Sequence, residues 1–195
     1  MGTGSVNSRR ADTRRNHECI LNAAAESLAE SGELSFNTIA KQAGVGVGTV
    51  YRHFSAPEEL ILAVYQREVD ALVEVVPKLL EMHPPQQAFR VWTTDHLTHY
   101  MMTKRGLVDA LRAATASRGE LPANTHQMVL GAVAELLTAN IAAGTVRADL
   151  DPETVFRGLG GLLFLDPSGD WRNQTENLVD LVWRGMRPDE DGAPR

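Results

Sequence analysis

The amino-acid sequence predicts an all-α protein, with a short N-terminal group of three helices followed by a larger group of six. Three observations predict this fold class. Apolar residues recur at helical spacing along most of the chain, glycine and proline separate the helical segments, and no stretch alternates apolar and polar residues as a strand does. A chain of 195 residues, 43% of them hydrophobic, is long enough to bury a real core.

The first four helices are predicted from their stop and start residues. A helix over residues 14–31 ends at Gly32, and Ser35 is a good N-cap for a short helix that reaches residue 42. A third helix over residues 47–53 follows a tight connection. Pro57 then suits the first turn of a fourth helix, expected to extend to residue 82, because a first-turn residue needs no N–H donor.

The later helices are separated by clear turn signals. Breaks between helices are predicted at five places: Pro84-Pro85, residues 117–122, Gly144, Asp151-Pro152 and residues 166–169. The segments between them predict helices over residues 86–104, 106–116, 124–143, 153–165 and 170–186, and the acidic tail from Pro188 is expected to fray. We therefore expect one domain over residues 1–56 and a second over residues 57–195.

Charge is distributed unevenly between these two parts. Residues 1–56 contain six Lys or Arg against five acids, a net charge of +1, whereas the remainder contains 13 against 20, a net charge of -7. The two parts therefore face different partners. A lone cysteine, Cys19, excludes an intramolecular disulfide, and no apolar run approaches the ~20 residues that cross a bilayer. We expect a soluble, cytoplasmic protein without a membrane partner.

The spacing of three small or branched residues indicates a helix-turn-helix. Ala40 allows close helix crossing, Gly44 can adopt the positive φ of a tight turn, and Val50 fills the space between the helices. Because Val50 points inward, Gly48, Thr49 and Arg52 point outward, toward the DNA major groove in such a unit. A phosphate-binding loop at residues 44–48 is excluded, since no strand precedes it.

The outward residues have side chains suited to DNA. Arg52 can donate two bonds to guanine, Thr49 can contact a base or a phosphate, and Gly48 allows close backbone approach. Tyr51 and His53 lie at the edges of this face and suit phosphate contact. The alternative, for any one of them, is an ordinary solvated side chain.

Four short segments of this region carry a recognisable pattern: Thr38-Ile39-Ala40, Ala43-Gly44-Val45, residues 48–54 and Glu59-Leu60. The pattern resembles the signature of the TetR family of bacterial transcriptional regulators. The resemblance covers about residues 14–63, a quarter of the chain. Two positions depart from it: Gly46 replaces a capping Ser, and Pro57 replaces a phosphate-contacting Lys. Arg9, Arg10, Arg14 and Arg15 form a basic N-terminal arm that can reach phosphates or the minor groove. The outward face of the third helix, this arm and the resemblance together assign DNA contacts to Arg9, Arg10, Arg14, Arg15, Ser35, Thr38, Val47, Gly48, Thr49, Tyr51, Arg52 and His53.

The resemblance implies that the six-helix part is a ligand-binding and dimerisation domain. It implies a homodimer that binds a palindromic double-stranded DNA operator and is released by a small effector, the mode of a repressor. The residues expected at the dimer interface are small or apolar and lie on the last two helices: Gly158, Gly161, Leu162, Leu165, Trp171, Leu178, Val182 and Met186. Ordinary core packing is the alternative for each.

An apolar cavity with a few polar anchors is expected around the helix that begins at Gln86. Its candidate lining residues are aromatic, Met or His: Tyr65, Phe89, Trp92, His96, His99, Met102 and Met128. The alternative is that the aromatic and Met side chains are core. No cofactor is expected, and His96 with His99 lacks the third ligand that a metal site needs.

Two other functions stay open. One is a TetR-like protein that acts as an activator or as a protein-binding module. The other is a small α-helical enzyme, which would need catalysis from Asp95, His96 and His99, because no recognised catalytic motif is present. We expect no enzyme activity.

Overall fold

In the computed structural model, which describes residues 3–103, 105–115, 123–166 and 168–188, every regular element of the described residues is helical. In chain order the elements are α1 (Thr3–Ser31), α2 (Phe36–Gln42), α3 (Val47–His53), α4 (Pro57–Met82), α5 (Pro85–Val91), a π-helix (Trp92–Thr98), α6 (His99–Thr103), α7 (Arg105–Thr115), α8 (Ala123–Ala142), α9 (Pro152–Leu159), a 3-10 helix (Gly160–Phe164) and α10 (Trp171–Met186). The expected all-α fold is confirmed.

The chain forms two compact units. One comprises residues 1–67 and 104–121, and the other comprises residues 68–103 and 122–195. This division differs from the single boundary at residue 56 expected from the sequence. The reason lies in α7, where Leu107 and Leu111, one turn apart, are buried in the core of the first unit.

The first unit has its core between α1, α2, α3, α4 and α7. Its fully buried aliphatic side chains come from all five helices: Ile20, Leu28, Ile39, Val50, Leu60, Val64, Leu107 and Leu111. Arg67 on α4 also donates to Asn22 Oδ1 on α1 over 2.8 Å. Apolar burial from five helices therefore holds α3 in a fixed orientation.

Helix α1 begins at Thr3, eleven residues before the expected start at Arg14. Once a helix is nucleated, each added residue gains one backbone hydrogen bond, which favours extension over a separate arm. The basic segment is consequently helical, and Arg10, Arg14 and Arg15 are exposed along it.

Two buried aromatic residues lie at the centre of the second unit, one on α5 and the other three residues later at the start of the π-helix. Phe89 and Trp92 are both fully buried, and Trp92 Nε1 donates to the Leu72 carbonyl over 2.9 Å. Phe89 also packs on Trp183 of α10, with ring centroids 5.4 Å apart. Side chains of α8 and α9, including Leu136 and Leu159, complete this core.

The π-helix interrupts a segment that the sequence predicted as continuous α-helix over residues 86–104. Thr98 Oγ1 donates to the carbonyl of Thr93, five residues earlier, over 2.7 Å, and Thr93 Oγ1 donates to the Phe89 carbonyl over 2.7 Å. Both threonines are fully buried. Their hydroxyls satisfy carbonyls at a helix widening that apolar spacing does not encode.

In the part of the chain that the structure describes, no helix is both long and apolar enough to cross a membrane.

Candidate DNA-binding surface and ligand-binding unit

The turn between α2 and α3 has the geometry expected of a helix-turn-helix. Gly44 has φ +67°, as predicted, and the next residue, Val45, donates its N–H to the Ala40 carbonyl over 3.0 Å. Ala40 and Val50 are buried at the crossing of the two helices. A side chain at residue 44 would be strained in this left-handed conformation, which explains the glycine.

Helix α3 presents one exposed face. Val50 is fully buried, whereas Val47 is 40% exposed and Tyr51 is 59% exposed. Gly48 and Arg52 are also exposed. Four of the α3 residues singled out in the sequence are thus exposed to solvent, whereas Thr49 and His53 are half-buried.

Arg52 lies along its own helix in this structure. Its Nε donates to the Gly48 carbonyl over 3.1 Å, and its Nη2 donates to Thr49 Oγ1 over 2.9 Å. Both bonds are exposed to solvent and contribute little net stability, so a stronger acceptor can replace them. The bonds keep the guanidinium next to the hydroxyl of Thr49.

The ring of Tyr51 packs against α2, although the side chain is largely exposed. It meets the buried ring of Phe36 edge to face, with centroids 4.9 Å apart and planes at 73°. Such an edge-to-face pair restricts the ring without covering the hydroxyl. The phenol is thus positioned to extend beyond α3.

His53 lies in an aromatic cluster at the end of α3. Its ring centroid is 5.5 Å from that of His17 on α1, and His17 stacks on Phe54 at 5.2 Å. The pKa of His53 is lowered, chiefly because partial burial disfavours the imidazolium and further because His17 and Arg52 lie nearby. His53 therefore stays neutral to lower pH than an ordinary histidine.

The remaining predicted DNA contacts flank α2 and lie on α1. Ser35 and Thr38 are exposed, and Ser35 occupies the N-cap position of α2 without using its hydroxyl to cap it. At the start of α3 the N-cap is Gly46, whose carbonyl accepts the Thr49 N–H over 2.7 Å. Arg10, Arg14 and Arg15 are exposed, and the side chain of Arg9 lies outside the described residues.

The structure does not bring all the expected ligand-lining residues together. Tyr65 belongs to the first unit and packs against its core, whereas the other six belong to the second unit. Phe89 and Trp92 are fully buried core residues, while His96, Met102 and Met128 are half-buried. Phe89 and Trp92 therefore belong to the core, which was the alternative to lining a cavity.

His99 is exposed and lines a depression of about 270 Å³. Thr94 and Asp95 of the π-helix and Trp171, Arg172 and Glu176 of α10 also line it. The depression offers charged and hydroxyl groups next to an indole ring. Among the described residues, no group of three or more His, Cys, Asp or Glu side chains could hold a metal ion.

A larger concavity of about 590 Å³ in the second unit was missed by sequence reasoning. Arg90 of α5 and Arg184 and Arg187 at the end of α10 line it. These residues are far apart in the sequence, and each alone is typical of a solvated surface arginine. Only the packing of the helices shows that they share a cavity.

The residues expected at a dimer interface divide between core and surface. Leu162, Leu165 and Met186 are buried within the chain, so they offer little surface to a partner. Trp171, Leu178 and Val182 are half-buried, and Gly158 is exposed. Gly161 packs within the chain, because a Cβ there would lie 3.1 Å from Leu178 Cδ2.

Three large apolar side chains of the 3-10 helix and α10 remain exposed instead. Leu163 and Phe164 of the 3-10 helix are 52% and 89% exposed, and Leu181 of α10 is 67% exposed. Leu163 and Phe164 were not among the expected interface residues, because an α-helix had been predicted through residues 160–165. A 3-10 helix has three residues per turn, which changes the side chains that face inward.

Comparison with known protein families matches both parts of the chain. Residues 20–64 match the model described as "Bacterial regulatory proteins, tetR family", and residues 84–188, just over half of the chain, match "Transcriptional regulator SbtR-like, C-terminal domain". The chain belongs to the TetR family. The resemblance found in the helix-turn-helix residues is confirmed, and it extends through the larger unit.

Solved TetR-family structures are similar over nearly the whole chain. The TetR transcriptional regulator SCO0520 from Streptomyces coelicolor is 40% identical, with a TM-score of 0.75 over 88% of this chain and 98% of that one. A TetR regulatory protein from Mycobacterium vanbaalenii is 29% identical, with a TM-score of 0.70 over 92% of this chain and 99% of that one.

A curated relative matches over a shorter stretch. The HTH-type transcriptional regulator SAUSA300_2515 of Staphylococcus aureus is 27% identical over 106 residues, which are 53% of this chain and 57% of the relative. The chain thus aligns with little more than half the length of that relative. The two family models and the solved structures, rather than this shorter match, identify the chain as a TetR-family protein with a helix-turn-helix.

Proposed function

We propose that this protein is a ligand-responsive repressor that binds a palindromic operator as a homodimer and dissociates when a small apolar or amphipathic effector binds. The observation that carries the proposal is the exposed face of α3, where Gly48, Tyr51 and Arg52 are exposed, Thr49 is half-buried, and Val50 is fully buried. Its place of action would be the cytoplasm, where operator DNA lies.

Sequence readout would depend mainly on Arg52. The guanidinium can exchange its bonds to the Gly48 carbonyl and Thr49 hydroxyl for two bonds to guanine in the major groove. Thr49 would then be free to contact the adjacent base or phosphate. Tyr51, held by Phe36, and His53 would contact phosphates at the two sides of the groove.

Dimer formation would bury the exposed apolar side chains of the 3-10 helix and α10. Leu163, Phe164 and Leu181 are large, apolar and exposed, and a two-fold interface would cover the same set on both protomers. Two recognition helices related by this axis would enter the major groove about one DNA turn apart. The operator would therefore be a palindrome.

Effector binding would be the task of the second unit. The half-buried His96, Met102 and Met128 combine apolar surface with a polar ring, and the depression at His99 adds charged and hydroxyl groups. An effector that binds best when the recognition helices are too far apart for DNA would shift the population away from the DNA-binding state. Release from the operator, and hence derepression, would follow.

The first experiment is selection of bound sequences from a random DNA duplex library at two salt concentrations. We expect a palindromic consensus and a steep loss of affinity at higher salt. Failure to enrich any sequence would contradict the repressor function and favour a protein-binding role.

Two substitutions then separate readout from phosphate contact. Arg52→Ala should reduce the free energy of DNA binding by about 1–3 kcal/mol through the loss of contact at one operator position, and it should relax sequence specificity at that position. Arg14→Ala should weaken all sequences alike and reduce the salt slope by about one unit. Arg157→Ala, which removes an exposed arginine paired with Glu153 on α9, is the charge-matched control and should change neither. Unchanged sequence preference in Arg52→Ala would refute the readout assignment.

The oligomeric state is tested by placing a charge in the exposed apolar patch. Phe164→Asp or Leu181→Glu should produce monomers in sedimentation-velocity experiments, because a buried unpaired carboxylate opposes association. Met82→Glu is the control, since Met82 is similarly exposed, at 71%, on α4. Dimers that persist in both patch variants would place the interface elsewhere.

A further inference from the structure

The larger concavity of the second unit, about 590 Å³, is a groove with an unusual concentration of arginine. We call it the arginine groove and define it by Gln86, Arg90, Asp180, Arg184 and Arg187. Its volume lies within the range of cavities that hold small molecules. None of these residues belongs to the DNA-binding or effector residues considered above.

The frame of the groove is held by packing and a backbone hydrogen bond. The rings of Phe89 on α5 and Trp183 on α10 lie 5.4 Å apart, which joins the two helices that carry the arginines. The chain leaving α8 is joined to the end of α10, because the Arg147 N–H donates to the Met186 carbonyl over 3.0 Å. The guanidinium groups therefore extend from a packed frame.

Among the described residues that line the groove, positive charge exceeds negative charge. Arg90 donates to the carboxylate of Asp180, which neutralises that pair. Neither Arg184 nor Arg187 has a carboxylate partner among the described residues. The four charged groups thus leave an excess of about two positive charges.

The end of α10 explains part of this arrangement. Cations are favoured near a helix C-terminus, and Arg184 and Arg187 lie at or just beyond it. That preference does not account for Arg90, which comes from a different helix and faces the same cavity. The Arg90–Asp180 pair and the two arginines without a carboxylate partner thus line one groove, which favours an anionic occupant.

We propose that the arginine groove binds a small dianion carrying carboxylate or phosphate oxygens. A doubly charged ligand matches the excess charge, and the planar guanidinium donors of Arg184 and Arg187 can each bind two oxygens side by side. The amide of Gln86 adds a neutral donor at the rim. Nucleic acid is a poor occupant, because residues 57–195 carry a net charge of -7.

Isothermal titration calorimetry on the full chain tests the proposal, with succinate and hydrogen phosphate as the two dianions and acetate as a monoanion. The titrations are done at constant low ionic strength and mildly alkaline pH, where phosphate is doubly charged. We expect saturable binding of at least one dianion and weaker binding of acetate. The dianion that binds identifies a carboxylate or a phosphate ligand.

Two exposed arginines allow substitutions that should not disturb folding. Arg184→Gln and Arg187→Gln should each raise the Kd of the dianion about tenfold, because each removes a charge-assisted hydrogen bond. Arg157→Gln removes the same charge from α9 and should leave the Kd unchanged. No binding of either dianion, or equal Kd values in the groove and control variants, would overturn the proposal.

Operator binding provides an independent readout. In the absence of added dianion, Arg184→Gln and Arg187→Gln should bind operator DNA as the native chain does, because neither residue lies on α3 or α1. Loss of dianion binding with normal DNA binding supports the groove. Normal dianion binding without operator binding would contradict the repressor function and leave the groove intact.

Discussion

Replacing Gly106 by alanine should move α7 away from α1. A Cβ at Gly106 would overlap the carbonyl oxygen of Leu28 and would lie 3.3 Å from its carbonyl carbon and 3.1 Å from the Cα of Gly32. Carbon atoms in favourable contact are about 3.5–4.0 Å apart. All three obstructing atoms are backbone atoms, so no side chain can turn aside to relieve the overlap.

The magnitude follows from the core that the two helices share. The α1–α7 separation has to grow by about half an ångström for the Gly32 contact alone, and by more for the carbonyl oxygen. Leu28, Leu107 and Leu111 are all buried at this crossing and would lose contacts. Overpacking of a core costs about 1–3 kcal/mol, and a backbone overlap favours the upper half of that range. For a chain of this size, 2 kcal/mol lowers Tm by roughly 4–8 °C.

Thermal and urea unfolding followed by circular dichroism measure the effect. Gly131→Ala is the matched control, because Gly131 is exposed within α8 and, apart from its own turn of helix, no described residue would come within 4 Å of its Cβ. The free energy of unfolding of the control should rise by about 0.5–1 kcal/mol, because alanine has a higher helix propensity than glycine. If Gly106→Ala is as stable as the native chain while Gly131→Ala is stabilised, then α1 and α7 do not approach this closely in solution.

Three further predictions concern a histidine, a helix cap and a core hydrogen bond. His53 has a lowered pKa, so the folded chain binds fewer protons there than the unfolded chain does. The free energy of unfolding should therefore decrease as pH falls below about 6.5. Urea unfolding at several pH values should show a weaker pH dependence of this free energy in His53→Asn. The pKa of Asp151, the N-cap of α9, is lowered, first by the hydroxyl and then by the N–H of Thr154. Asp151→Ala should therefore lower Tm at neutral pH more than Asp151→Asn, which keeps an acceptor for the cap. The stability that the native carboxylate adds should disappear as acid protonates it. Trp92→Phe should cost about 1–3 kcal/mol in urea unfolding, because it removes the bond to the Leu72 carbonyl and leaves a small cavity.

Each of these has an outcome that would contradict it. An unchanged pH slope in His53→Asn would mean that His53 titrates alike in the folded and unfolded chains. Equal Tm values for Asp151→Ala and Asp151→Asn would show that the cap of α9 contributes no stability. A Trp92→Phe chain as stable as the native one would mean that the indole N–H is not bonded in the core.

The helix-turn-helix could be predicted from sequence because its signals are local. Ala40, Gly44 and Val50 lie within eleven residues, and each has a steric requirement that few other residues meet. The buried Val50 and the positive φ of Gly44 confirm the reasoning. Once Val50 faces inward, helical geometry alone places Gly48 and Arg52 on the opposite face.

The expected cavity was less predictable. Aromatic and Met residues at helical spacing can line either a cavity or a core, since both need apolar surface. Phe89 and Trp92 are core, and Tyr65 belongs to the first unit, whereas exposed His99 lines the smaller depression. The partition depends on which helices pack around each residue, and composition along one helix does not contain that information.

By itself the sequence determined the helical class, the helix-turn-helix and the TetR resemblance, because these follow from short-range spacing, caps and turn residues. Tertiary structure decided the rest. It placed α7 in the first unit through Leu107 and Leu111, and it brought the arginines of α5 and α10 to one groove. It also replaced the last turns of an expected α-helix by a 3-10 helix, which exposes Phe164 and buries Leu162. These outcomes depend on contacts between residues far apart in the chain, and a local pattern cannot specify them.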